Sequence, residues 1–209
     1  MKWIIIAGTL SILGLLMFGV VSRLLIRKSD PYSLRTEAID HAKQINLAFI
    51  DFDNDYGSFP DDSTIADVND ATGSSLPPSA SSSNEIFRQL IAAGNKTEKI
   101  FWAWSPATPR KPDENISAGH ALEKGECSFA YVNSAGPTAP LLMTPVIPST
   151  HCFQRFKEYD NQAVILFIDG SVKLLPVDNH GQVELNGMNL FDPSQPFWKG
   201  KAPDIKWPE

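Results

Sequence analysis

Ala163-Val-Ile-Leu-Phe-Ile168, then Asp169-Gly170, then Ser171-Val-Lys-Leu-Leu175 is the stretch on which the fold turns. Two apolar runs separated by an Asp-Gly pair predict an antiparallel hairpin, with both central residues of a two-residue turn at positive φ. The sheet core is expected there. Upstream, Cys127-Ser-Phe-Ala-Tyr-Val132 and Leu141-Leu-Met-Thr-Pro-Val-Ile147 read as further strands, with Pro145 placing the second at an edge or bulge. Ile100, Trp102 and Trp104 alternate with Phe101 and Ala103, a period of two that predicts a strand, and a loop broken by Pro106, Pro109 and Pro112 follows. Downstream, Phe191, Phe197, Trp198 and Trp207 give the tail enough apolar surface to lie against the body, although its prolines forbid much regular structure.

Before the hairpin the period is that of a helix. Leu34, Ala38, His41, Ala42, Ile45, Ala48, Phe49 and Phe52 recur at three- and four-residue steps, with Arg35, Asp40, Lys43 and Asn46 opposite. This predicts an amphipathic helix capped at Ser33, with Glu37 in its first turn, ending at Tyr56-Gly57-Ser58-Phe59-Pro60. His41 on the stripe is expected to pack at its rim rather than to bind metal. Residues 61–83 read as a loop rich in Asp, Ser, Pro and Ala with a brief helix near Ile65 to Asn69. Asn84 is expected to cap a second short helix, Glu85 to Ala93, closed by Gly94.

At the N-terminal end, Trp3 to Ser22 is a run of twenty uncharged residues, long enough as a helix to cross a bilayer's hydrocarbon layer. The expected organisation is therefore a transmembrane anchor over 1–28, contacting membrane through residues 3–26, and a soluble α+β domain over 29–209. The fold class is α+β, an N-terminal transmembrane helix leading into an amphipathic helix packed on a small antiparallel sheet. No small-x-small cleavage site follows the run, so the anchor is expected to be retained. Arg23, Arg27 and Lys28 outnumber Lys2, and a literal positive-inside count puts the domain in the cytoplasm. The two cysteines, Cys127 and Cys152, point the other way if they pair, as cysteines of exported domains do. Two buried thiols in a cytoplasmic domain is the alternative.

Of 24 acidic residues none precedes Asp30, and the part after Lys28 sets all 24 of them against 14 bases. Such a surface excludes nucleic acid as a partner and disfavours electrostatic docking on anionic lipid. Motifs for catalysis are missing: there is no Gly-x-Ser-x-Gly elbow and no His-Glu-x-x-His helix, and His41, His120, His151 and His180 are scattered singly. A non-enzymatic protein without a cofactor is expected. Asp51, Asp53, Asp55 and Asp62 follow part of the calcium-loop spacing, although Tyr56 stands where such a loop needs glycine. They are weak calcium candidates beside the plainer reading of a solvated helix end. Trp102, Trp104 and Trp198 could stack on sugar or supply core area.

An apolar helix running into an amphipathic helix, then a loop and a small antiparallel sheet, resembles type IV pilins and type II secretion pseudopilins. Ala42-Lys-Gln-Ile-Asn-Leu-Ala48 and Asp53-Asn-Asp-Tyr-Gly-Ser-Phe-Pro60 are similar to the segment where the long helix of pilin-like proteins ends, and Val164 to Leu174 resembles the Asp-Gly hairpin of prepilin-like proteins. The chain lacks their Gly-Phe-Thr-Leu-Ile-Glu-like peptidase junction, has no acid between Met1 and Lys28, and carries Tyr159 where the hairpin family has histidine. The resemblance implies an uncleaved structural or interaction protein of a secretion or pilus-type cell-envelope assembly. It would be held in a bacterial inner membrane with its C-terminal domain in the periplasm. Other membrane-anchored pilin-like or secretion-system subunits would be its partners, met through an assembly face of Leu34, Ala38, Ala42, Ile45, Phe49 and Phe52. The alternative is a membrane-tethered periplasmic binding module for calcium or glycan.

Overall fold

In the computed structural model, which describes residues 31–117, 119–133 and 136–209, the helical stripe and the Asp-Gly hairpin pack against each other. Helix α1, Pro31–Tyr56, is the long amphipathic element. It already runs at Pro31, where the described residues begin, so Ser33 lies inside it rather than capping it. The stop is where the sequence puts it. Gly57 takes the left-handed conformation (φ +78°) and donates to the Asp53 carbonyl, while Phe59 folds back onto Phe49 with ring centroids 5.4 Å apart.

Two short helices follow, α2 (Ile65–Thr72) and α3 (Ser83–Ala92). The cap of α3 is Ser82, whose hydroxyl accepts from the Glu85 amide, rather than Asn84. Asn84 is instead buried and ties distant chain together. Its Nδ2 donates to the carbonyls of Leu122 and Glu123, and its Oδ1 accepts from the Glu209 amide.

The strands are β1 (Ala130–Val132), β2 (Pro140–Thr144), β3 (Val146–Ile147), β4 (Cys152–Phe153), β5 (Gln162–Phe167), β6 (Val172–Pro176), β7 (Glu184–Leu185), β8 (Met188–Asn189) and β9 (Ile205–Lys206). Five form one antiparallel sheet in the order β6-β5-β2-β1-β9. The β5–β6 hairpin runs from Gln162 opposite Pro176 to Leu166 opposite Val172. Its turn differs from the two-residue form: Gly170 alone has positive φ (+79°), the Gly170 amide donates to the Phe167 carbonyl, and the Phe167 amide donates to Ser171. This is the three-residue loop with a glycine bulge, and Asp169 serves it by accepting from the Ser171 amide and hydroxyl.

Alternation along β5 divides two cores. Val164 and Leu166 face the helices and pack with Ala38, Ala42, Ile45, Phe49 and Phe52 of α1 and with Phe87 and Leu90 of α3. Ala163, Ile165 and Phe167 face the other way, onto Val183, Leu190, Phe191, Phe197 and Trp198. The tail is thus a third layer that covers the sheet, and β9 closes its edge by pairing with β1. Burial of both sheet faces explains why β5 reads as an unbroken apolar run.

Four expectations are corrected here. Among the described residues no helix is long and apolar enough to cross a membrane. The longest, α1, carries Arg35, Glu37, Asp40, Lys43, Asp51, Asp53 and Asp55, and charge at that density excludes it from hydrocarbon. The described residues are therefore an α+β fold that includes no spanning helix, and the single-pass inner-membrane placement with a periplasmic domain is withdrawn; the stretch read as an anchor, residues 1–28, lies outside the described residues. Second, the segment at Ile100 is not a strand: Lys99–Phe101 is a 3-10 turn, and Ile100, Phe101, Trp102 and Ala103 are all buried, so the apparent period of two marked no exposed face.

Third, Cys127 and Cys152 are both free thiols. Cys127 is sealed in the helix-side core beside the Ser83 hydroxyl, where burial pushes the thiol up to about 12, and Cys152 sits on β4 accepting from Gln182 Nε2. Fourth, the proposed assembly face is occupied by the domain itself. Ala38, Ala42, Ile45, Phe49 and Phe52 are buried against the sheet and α3, and Leu34 packs at the margin of the same core.

Candidate functional site

Three carboxylates converge in the long irregular stretch between α3 and β1. Oxygens of Glu98, Asp113 and Glu126 lie within 4.8 Å of one another, and both glutamates are fully buried while Asp113 is exposed. Glu98 precedes the 3-10 turn, where the chain is pinned by the apolar Ile100 and Phe101. One of its oxygens accepts the Leu122 amide; the other, Oε2, is buried and accepts nothing. Glu126 Oε2 accepts the Glu123 amide at 2.8 Å, which closes a tight turn directly before the buried run from Cys127. Glu126 Oε1 takes no hydrogen bond, although Arg110 Nη2 stands 3.0 Å away. Asp113 uses Oδ1 to accept the Asn115 amide.

Arg110 is the cation nearest the cluster, and it is shared. Its Nη2 donates to Glu123 Oε2 at 2.8 Å and its Nη1 to the Lys124 carbonyl. The bond from Arg110, then one from His120, holds the Glu123 carboxyl below its usual range. Glu126 behaves oppositely. Burial raises its carboxyl, the Glu123 amide and Arg110 pull it back, and the charges of Glu98 and Asp113 push it up again. Glu123, Glu126 and Asp113 thus draw on one guanidinium. The chain end braces the site, because Gly125 donates to the Glu209 carbonyl.

Such an all-oxygen set suits a hard cation, and it contains no imidazole or thiolate that would favour zinc or copper. Sequence reading passed over it. Glu98 and Glu126 stand 28 positions apart with no motif between them, and the only signal was that each adjoins an apolar run.

The residues that the sequence did single out for calcium are not brought together. Asp51 and Asp55 line an open groove of about 820 Å³ beside α3. Asp53 lines a separate groove of about 430 Å³ with Gly57 and Asp61. Asp62 accepts the Ala80 amide. Helical spacing sends consecutive odd positions around the cylinder rather than to one point. A sugar-stacking surface fares no better. Trp102 is buried with its indole N–H on the Thr108 carbonyl, Trp198 is buried with its own on the Leu190 carbonyl, and Trp104 sits edge-on to Phe156. His41 is a rim residue as expected, with Nδ1 2.6 Å from the Trp102 carbonyl, joining α1 to the turn behind Glu98. Tyr159, at the position where the hairpin resemblance calls for histidine, is fully buried on Phe156, its hydroxyl without a partner.

Compared with family models, curated proteins and solved structures, the chain matches none of them.

Proposed function

We propose that the chain is a pilin-like structural or interaction protein, a subunit that works by protein contact in a secretion or pilus-type assembly rather than by catalysis. The observation that supports this reading is the division of α1 into two faces. One is consumed by the domain's own core, while on the other Leu47 and Ile50 are 61% and 45% exposed, one helical step apart. A folded domain gains nothing from exposing two large aliphatic side chains side by side, and both become useful when a second subunit covers them. The long helix laid along an antiparallel sheet, ending at Tyr56-Gly57 and followed by the Asp-Gly hairpin, also agrees with the pilin resemblance.

Sedimentation velocity of the full chain over a wide concentration range tests the proposal. Association that rises with concentration and is weakened by Leu47→Asp with Ile50→Asp is expected. A single monomeric species throughout, or association indifferent to both substitutions, removes the outward face of α1 as the basis for the reading.

A further inference from the structure

We propose that Glu98, Glu126 and Asp113 form a binding site for one hard divalent cation, calcium, which staples the loop between α3 and β1. This is independent of any assembly role. Three features carry it together. The three carboxylates present oxygens within 4.8 Å of one another, close enough for one ion with calcium–oxygen bonds of about 2.4 Å to touch all three. Magnesium gives up its water reluctantly and is seldom held in a cage of protein carboxylates, so a set with two fully buried glutamates favours calcium. The second feature is an unmet demand. Glu98 is fully buried and its Oε2 has no donor, and the fully buried Glu126 leaves Oε1 with only a sideways approach from Arg110. A buried carboxylate oxygen without a donor is costly, and a bound cation is the partner that satisfies two such oxygens at once.

The third feature is charge. Glu98 and Asp113 cluster with Glu126, and Arg110, which approaches Glu126, is already bonded to Glu123 and to the Lys124 carbonyl. A divalent ion brings the five groups to within one charge of neutrality and leaves Arg110 where it is. Exposed Asp113 is the open side, through which the ion enters and where water completes its shell. The two glutamates belong to separate parts of the loop, joined by the Leu122 amide on Glu98 and the Glu123 amide on Glu126. An ion between them therefore links the exit of α3 to the entry of β1.

The test is thermal melting of the full chain in a chelator, then with calcium, magnesium or manganese chloride added separately. Calcium at about a hundredfold excess over its dissociation constant should raise the melting temperature by about 5 °C or more. Asp113→Asn, a surface change that leaves the core alone, should weaken calcium binding by at least about tenfold, measured by calorimetric titration. Glu98→Gln should abolish the calcium response while melting no lower than wild type in chelator, because it removes one of two facing buried charges. Three outcomes overturn the assignment: no response to calcium at millimolar concentration, a response to magnesium but not to calcium, or an undiminished response in Asp113→Asn and Glu98→Gln together.

Discussion

The α1–hairpin core and the polar cluster between α3 and β1 bury their side chains to the same depth with opposite chemistry. In the first, Ile45, Phe49, Val164 and Leu166 meet one another, and each contact is interchangeable in kind. In the second, Glu98, Glu126 and Ser128, joined by Asn84 of α3, are buried, and each is tied to particular backbone groups: the Leu122 amide, the Glu123 amide, the Ala103 amide, and, for Asn84, the Leu122 and Glu123 carbonyls. Apolar burial is non-directional, so a strip of the right periodicity suffices to create it. Polar burial works only when a specific donor or acceptor arrives, often from far along the chain. One region therefore supplies the bulk of the stability and the other supplies the place where chemistry is concentrated.

The largest way to break the comparison lies in the apolar half. Phe49 is fully buried and touches the rings of Phe59, Phe87 and Tyr131, so it joins α1 to α3 and the sheet at one point. Phe49→Ala should cost about 3–5 kcal/mol by urea denaturation. A loss below about 1 kcal/mol would show that the helix is not held by the face described. Next in size is the polar clamp. Asn84→Ala strands the Glu209 amide and removes one of two donors from each of the Leu122 and Glu123 carbonyls, which keep Arg88 and the Glu126 amide, and about 1–3 kcal/mol should be lost, with the Glu209 amide freed to exchange its hydrogen faster. If Gly125 and Glu209 stay protected in that variant, the clamp is not what fixes the C-terminus.

These two regions were unequally legible in the sequence, and for the same reason. The α1 stripe, its stop at Tyr56-Gly57 and the β5–β6 hairpin follow from local period and turn chemistry, and all three stand where they were read. Errors arose where long-range contact decides. Ile100 to Ala103 imitates a strand because every residue there is buried, and the β2 strand slips register between Pro140 and Leu142 so that adjacent Leu141 and Leu142 both join the helix-side core. Strand β9 has two residues and exists only because β1 offers an edge. Pairing Cys127 with Cys152 failed because one lies inside the helix-side core and the other on β4. The carboxylate site was illegible for a further reason: Glu98 and Glu126 are indistinguishable from surface glutamates until the fold buries them.

A third prediction concerns sign more than size. Burial holds the Glu126 carboxyl above its ordinary range, so the folded protein binds that proton more tightly than the unfolded chain does. Its contribution must therefore grow as pH falls through the raised value, and be complete below the unfolded value of about 4.3. Asp169 and Asp178, held low chiefly by the Ser171 hydroxyl and the Gln182 amide, act in the opposite sense and lose stability on acidification. Comparing wild type with Glu126→Gln in chelator isolates the first effect: the variant should gain on wild type as pH is raised from 4 to 8. A stability difference that does not change with pH would mean that Arg110 neutralises Glu126 fully and that the two halves of the molecule differ less than their burial suggests.

The smallest expected effect sharpens the contrast within a single helix. Leu47 and Phe49 are two positions apart on α1, one 61% exposed and the other fully buried. Leu47→Ser removes an isobutyl group that contacts mostly solvent, so stability should stay within about 0.5 kcal/mol of wild type, against several for Phe49→Ala. If the outward face is a contact surface, the same substitution should still weaken self-association in sedimentation, since the area it would bury is buried only in the assembled state. A Leu47→Ser variant that loses stability as a monomer would instead place the side chain in the domain's own fold, against the groove lined by Leu90 and Lys96. The exposed pair at Leu47 and Ile50 would then no longer argue for a partner.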